Sequence, residues 1–362
     1  LMKILYISPE NTVGTLSLWK RAHEELGNEC LFITFYPSKQ QYDQGICLNL
    51  PLIHTSSWYL KSRHLYYQKY RGKLGDYKEK NGFPPIWQPN SMFENWYFGF
   101  RDWLWHFKIE PLIKKLKLLE YDIFHLEWGL EFYRDGRFVK RLKELNKPIV
   151  CTYHGQDLRT RGVIPQIDQS TSLNLTSELD LLKKHPNINY LFLPFDTKQF
   201  LPSYQLNKPI KVCHSTTNRY YKGSNTIIPI CEKLEAEGKI EFRLIENMSH
   251  KKALKLKSEC DIFIDQVHNR GGWGYGMNSI EALSMGLCCL TELIPEYVEF
   301  IPDHPFININ GDNLYSTLIQ IIDNSKKIHH HKKMGREWAV NKHDLTYTAE
   351  KLYEYYHEKG WL

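Results

Sequence analysis

The sequence predicts an α/β protein of two doubly wound domains, each a parallel sheet with helices on both faces. Three observations lead there. Apolar runs of strand length alternate with segments of helix length along most of the chain. The alternation stops at a polar stretch, Tyr204–Lys208, and restarts from Pro209. The 362 residues are too many for one ordinary core and suit two domains of roughly 150–200 each. A composition of 42% apolar and 24% charged residues is that of a folded globule. No window supplies the ~20 consecutive apolar residues of a membrane-spanning helix, so a cytoplasmic protein is expected.

The first domain is expected over 2–205. Lys3–Ser8 reads as a buried strand, followed by a turn-forming stretch, Pro9–Thr15, with Gly14 in it. Leu16–Leu26 is an amphipathic helix closed by Gly27, and Cys30–Phe35 a second strand. Tyr121–Leu126, Pro148–Tyr153 and Tyr190–Pro194 are further strands, with a helix over Phe138–Leu145. The second domain, 206–345, repeats the rhythm. Its strands are Pro209–His214, Glu241–Glu246, Asp261–Asp265 and Leu287–Leu290; its helices are Thr226–Glu237, His250–Ser258, Ser279–Met285 and Leu314–Asn324. A last helix, Thr346–Glu358, lies in the leftover segment 346–362. Ligands of such folds bind beyond the carboxyl ends of the strands, which places a central cleft between two facing sheets.

One segment breaks the rhythm. Between Trp58 and Phe107 stand sixteen Phe, Trp or Tyr in fifty residues, with eight Lys or Arg against four Asp or Glu. It is an insertion, expected to shape the acceptor side of the first domain. Because Trp96, Phe100, Trp103 and Phe107 recur at helical spacing, the alternative is a helical subdomain packed on its own aromatics. Eight cysteines without a C-x-x-C pair lie mostly in apolar runs and read as buried free thiols. The net charge of +6 suits an acidic ligand or surface without requiring nucleic acid. His329-His330-His331, followed by two lysines, reads as a solvated stretch with no further metal ligand at the right spacing.

Three motifs carry chemistry. Gly271-Gly272-Trp273-Gly274-Tyr275-Gly276-Met277-Asn278-Ser279-Ile280-Glu281 is a glycine-rich loop opening a helix, a combination that lets free N–H groups meet a phosphate. Glu281 can accept from a ribose diol, or it can belong to a capping box with Asn278 as N-cap. Asn218-Arg219-Tyr220-Tyr221-Lys222-Gly223 follows a strand and sets two cations three residues apart before a helix, a plausible diphosphate clamp. Thr152-Tyr153-His154-Gly155-Gln156-Asp157 puts a histidine directly after a buried strand.

Together these motifs resemble the retaining glycosyltransferases of family 4, whose two Rossmann-like domains form the GT-B arrangement. The segment Trp273–Leu290 is similar to the family's signature of two glutamates separated by seven residues. Its second glutamate maps to Glu281, and Trp273 stands where the first would contact the transferred sugar. The resemblance implies a nucleotide-sugar donor (UDP-, GDP- or ADP-sugar) with no cofactor and no metal. The transfer would retain anomeric configuration, to a glycan, lipid-linked or small-molecule acceptor. It further implies that Arg219 and Lys222 neutralise the diphosphate and that His154 touches the donor sugar, with Asp157 in step. The backbone of Gly274, Tyr275, Gly276 and Met277 would line the phosphates. Asn247 and Met248 would meet the base, and Gly14 would mark a reduced first glycine loop. The final helix would pack toward the first domain. Peripheral contact with the inner membrane face is compatible with this reading; nucleic acid is not an expected partner. A nucleotide-sugar-binding protein that has lost transfer activity is the alternative.

Overall fold

The computed structural model describes residues 1–38, 41–53, 61–62, 65–66, 79–270 and 274–362. The chain divides into two compact units, Leu1–Phe192 with Ala349–Leu362, and Leu193–Thr348. Trp58 and much of the aromatic insertion, like Trp273, lie outside the described residues.

Among its described residues the first unit holds seven parallel strands: β1 (Lys3–Ser8), β2 (Glu29–Thr34), β3 (Ile46–Cys47), β4 (Ile123–Glu127), β5 (Ile149–Tyr153), β6 (Leu173–Thr176) and β7 (Ile188–Tyr190). They lie in the order β3-β2-β1-β4-β5-β6-β7. Ile4 pairs with Cys30 on one side and Ile123 on the other, so the order reverses at β1. Helices α1 (Thr15–Glu25), α2 (Met92–Lys115), α3 (Arg137–Glu144) and α4 (Pro165–Asp168) belong to this unit. Strands covered on both faces need apolar residues on both, as Ile4, Leu5, Tyr6 and Ile7 show by their burial.

The second unit has five parallel strands: β8 (Ile210–Ser215), β9 (Ile240–Ile245), β10 (Ile262–Ile264), β11 (Cys288–Thr291) and β12 (Ile307–Asn308). Their order is β12-β11-β10-β8-β9. Here the reversal falls at β8, which pairs with both β9 and β10. The helices are α5 (Arg219–Lys222), α6 (Ser224–Ala236), α7 (His250–Ser258), α8 (Met277–Ser284), α9 (Pro295–Phe300), α10 (Leu314–Ile322) and α11 (Ser325–His343). A final helix, α12 (Leu345–Glu358), starts in this unit and ends among the residues counted with the first.

Several elements differ from expectation. The strand foreseen at Tyr190–Pro194 ends at Tyr190. Leu173–Thr176 was not anticipated, because Leu-Asn-Leu-Thr is too short and half polar to show a period; pairing with β5 and β7 makes it a strand. His329, His330 and His331 lie within α11, and the His331 Nδ1 bonds the Pro305 carbonyl. All eight cysteines are free; seven are buried and Cys47 is half-buried. The aromatics at helical spacing do lie on a helix, α2, but Trp96, Phe100, Trp103 and Phe107 turn outward rather than into a core.

Four buried histidines, two in each unit, are held neutral by their burial. In the first, His23 bonds the Tyr6 hydroxyl through Nε2 and the Tyr353 hydroxyl through Nδ1, each at 2.9 Å. His125 Nε2 bonds the Tyr356 hydroxyl at 2.5 Å. In the second, the His214 Nδ1–H donates to the Ile264 carbonyl, so its Nε2 accepts from the Ser224 hydroxyl. The His343 Nδ1–H likewise donates to the Leu193 carbonyl. Burial pushes the imidazoles of His214 and His343 down to about 4 and that of His23 to about 3.

In the unfolded chain these groups titrate near 6.5, so the unfolded state binds more protons below that pH. Stability is therefore expected to fall as pH drops from about 6.5 toward 4, by on the order of 3 kcal/mol for each fully depressed histidine. Chemical denaturation across this range checks it; a flat profile between pH 6.5 and 5 would contradict the neutral assignment.

Candidate functional site

The loops after β8 and β10 meet at the point where strand order reverses in the second unit. Asn218 caps α5 by accepting the Tyr220 N–H at 3.1 Å. Gly223 follows in the left-handed region at φ +66°, and a Cβ there would lie 2.5 Å from the Val267 carbonyl oxygen. Only glycine fits so close an approach. The turn brings Lys222 over the end of β10, where its ammonium pairs with Asp265 and donates to Gln266 Oε1 at 3.3 Å. The other Asp265 oxygen accepts from the Ser279 hydroxyl at 2.6 Å. Gln266 Nε2 in turn donates to the Gly274 carbonyl at 3.0 Å, which also accepts from Thr291 at 2.7 Å. One line of hydrogen bonds thus ties the cationic turn to the glycine-rich loop.

That loop ends at Gly276, the N-cap of α8, whose own side offers open space. The first N–H groups of α8 have no acceptor within their helix, which suits a phosphate. Glu281 lies one turn further on and is buried. Its Oε1 accepts from His250 Nε2 at 2.7 Å and its Oε2 from Lys257 Nζ at 2.5 Å. Lys257 also donates to Asn278 Oδ1 at 2.9 Å. The capping box is therefore overturned: Gly276, not Asn278, is the N-cap, and both carboxylate oxygens face side chains of α7. Burial raises the Glu281 pKa, but the Lys257 charge and the bonds from His250 and Lys257 outweigh it and hold the group below the usual carboxylate value.

The remaining second-unit residues fall as follows. Arg219 makes a two-pronged pair with Glu246, at 2.9 and 2.6 Å, on an exposed edge. Asn247 is exposed and takes the left-handed conformation at φ +53°, while Met248 is half-buried. Tyr275 turns its ring away from the loop to pack on Phe306, Trp338 and His343, and its hydroxyl bonds His343 Nε2 at 3.1 Å. The Met277 side chain packs with Phe195 and Ile280. For Tyr275 and Met277, only the backbone is left to face a ligand.

In the first unit His154 follows β5, and its Nε2 bonds Glu127, the last residue of β4, at 2.5 Å. Trp128 lies beside it, ring centroids 5.3 Å apart, and donates to the Thr12 hydroxyl at 3.2 Å. The loops after β1, β4 and β5 are thereby joined. Burial lowers the His154 pKa, but the Glu127 bond and charge raise it more, so it ends above the ordinary value. Asp157 accepts the backbone N–H groups of His154 and Leu158, each at 2.8 Å, and so shapes the loop on which His154 stands. Gly14 is the left-handed N-cap of α1 at φ +77°, with Tyr42 close against it. The buried Asn11 meets the Leu16 N–H of that helix at 3.0 Å.

Sequence reading missed Glu127 and Lys257 and gave no individual role to His250, Asp265 or Gln266. Glu127 and Asp265 each stand at a strand's carboxyl end, a placement that flags them once the strands are known. Lys257 carries no such signal, being one of four lysines on a short helix. Among the described residues no group of three His, Cys, Asp or Glu could hold a metal ion, and no helix is long and apolar enough to cross a membrane.

No protein-family model matches the chain, and no curated protein sequence does. Solved structures do. An alpha-glucosyltransferase in complex with UDP and DNA containing an A:G mismatch superposes with a TM-score of 0.60 at 9% identity, covering 98% of each chain. Anabaena HepE in complex with UDP-glucose gives 0.56 at 12% identity, covering 99% of this chain and 100% of that one. TarM of S. aureus gives 0.58 at 12% identity over 99% and 98%. The chain thus has the two-domain GT-B fold of these glycosyltransferases along nearly its whole length.

Two outcomes follow from the site's geometry. Lys257→Met leaves Glu281 buried without its cation and is expected to cost about 3–5 kcal/mol of stability; a loss under 1 kcal/mol in denaturant unfolding would mean the pair is not buried as described. Glu127→Gln removes the anion beside His154, so the imidazole should titrate at lower pH than in the parent. An NMR titration of its ring protons checks the direction, and an unmoved pKa would separate the two groups.

Proposed function

We propose that this chain is a glycosyltransferase that moves a sugar from a nucleotide-diphosphate sugar to a hydroxyl acceptor. The observation that carries the reading is the bonded line Lys222–Gln266–Gly274, which sets a cation beside a glycine-rich loop and the open start of α8. Its likeness in fold to proteins solved with UDP or UDP-glucose supports the same conclusion. The bond from the anomeric carbon to the phosphate oxygen breaks, a bond to the acceptor oxygen forms, and the acceptor loses its proton. Charge accumulates on the departing diphosphate, where fixed donors act most strongly. We assign that role to Lys222, Arg219 and the backbone of residues 274–277, so that the reaction needs no divalent metal. Glu281, aligned by Lys257 and His250, receives the ribose; Asn247 and Met248 flank the base. His154, on the first unit's own sheet edge, is assigned to sugar hydroxyls. Retention of configuration, an acceptor that is a glycan, lipid-linked or small molecule, and a cytoplasmic site of action complete the proposal.

A second reading has its own observation. Arg219 and Lys222 are already paired with Glu246 and Asp265, an arrangement that suits a nucleotide-sugar-binding protein without turnover.

Thermal shift and hydrolysis with UDP-, GDP- and ADP-glucose separate the two. One donor should raise the melting temperature and be slowly hydrolysed, with the rate kept in EDTA. Lys222→Ala should lower that rate per folded molecule by about 1.5–3 kcal/mol, roughly 10- to 150-fold, and should also lower the melting temperature, because Asp265 loses its cation. Tight binding without any turnover favours the second reading. A full rate in both Lys222→Ala and Arg219→Ala sinks the clamp.

A further inference from the structure

Helix α2 is inside out over its first four turns. Ser91 caps it, accepting the Glu94 N–H at 3.1 Å. Its buried face carries Glu94, Arg101 and Asp102 besides Trp105, Ile109 and Ile113. The Arg101 guanidinium lies over the rings of Phe98 and Trp105, at 4.8 and 4.1 Å, and pairs with Asp102 at 2.5 Å. The other Asp102 oxygen accepts the Arg134 N–H at 2.6 Å. Charges are thus held inward, each with a partner.

The opposite face is aromatic. Phe93 (62% exposed), Trp96 (63%), Phe100 (40%), Trp103 (55%) and Phe107 (62%) stand in water, beside Met92 at 90%. Their spacing alternates three and four residues, which puts them on a single stripe of the helix. Successive rings touch, with centroids 6.3, 5.6, 5.9 and 5.2 Å apart, and Trp96 stacks on Phe100 within 3° of parallel. By the helical rise the ridge is about 21 Å long. The exposed charges of α2 are Lys108, Lys114 and Lys115. Its acids are withdrawn: Glu94 and Asp102 are buried, and Glu110 is held by Arg141 at 2.9 Å.

We propose that this ridge seats the protein on an anionic bilayer surface, with the rings among the headgroups and Lys108, Lys114 and Lys115 on lipid phosphates. Indole and phenyl groups gain most at that boundary, and a cationic edge with no exposed acid on the helix matches a negative surface. A second copy of the chain fits less well, because α2 presents no acid to meet its partner's lysines. The proposal rests on α2 alone and stands apart from the donor reading.

Flotation of the full chain with vesicles of phosphatidylcholine, with and without phosphatidylglycerol, tests it. The protein should float with the anionic vesicles and be released by salt. The triple change Trp96→Ser, Trp103→Ser, Phe107→Ser should weaken that partition about tenfold or more, and so should Lys114→Glu with Lys115→Glu. Melting temperatures of both variants should match the parent, since these side chains are exposed. Absence of flotation, or undiminished flotation of the triple variant, overturns the proposal. So does a self-association in sedimentation equilibrium that the triple variant abolishes, which would make the ridge an interface between copies.

Discussion

A carboxylate taken entirely out of water organises the second unit. Asp265, fully buried at the end of β10, is tolerated there only because its oxygens are answered by Lys222 and Ser279. Lys222 comes from the loop after β8 and Ser279 from the first turns of α8, so one charge fixes two elements far apart in sequence. Through Gln266 the same arrangement reaches the Gly274 carbonyl and sets the glycine loop's path. Remove the charge and the turn, the loop and the start of α8 lose their common reference.

The first unit repeats the device with other groups. Glu127 ends β4 and holds His154, while Asp157 pins the backbone on which that histidine stands. In both units a group able to meet a ligand is kept in place by one that need not.

How much of this was legible in the sequence depends on the length of the pattern behind each part. The two sheets and most helices announced themselves because apolar periodicity accumulates over ten or more residues; His250–Ser258 was placed to the residue. Leu173–Thr176 offered four residues and two of them polar, so only its neighbours define it. At Gly223 and Gly274 a Cβ has no room beside the Val267 carbonyl and the Leu293 side chain, contacts within the protein that the sequence does not foretell. Pairings were out of reach. Nothing local in the sequence joins Lys257 to Glu281 across 24 residues, or Gln266 to Gly274, since such contacts follow from how loops land after folding. The aromatics mark a different limit: periodicity reveals that Trp96, Phe100 and Trp103 share a face, not whether that face points in.

The polar network around Tyr6, His23 and His125 has a bearing on how the protein is made. Its hydroxyl partners Tyr353 and Tyr356 belong to the segment Ala349–Leu362, which a ribosome delivers only after the whole of Leu193–Thr348. Until then the sheet's innermost imidazoles lack part of their bonding, and an unsatisfied buried donor or acceptor costs about 1–3 kcal/mol. The unit that begins first in synthesis is thus completed last. A fragment cut at Phe192, the obvious choice for expressing it alone, omits the residues that close its interior; joining Ala349–Leu362 to it through a short linker restores them.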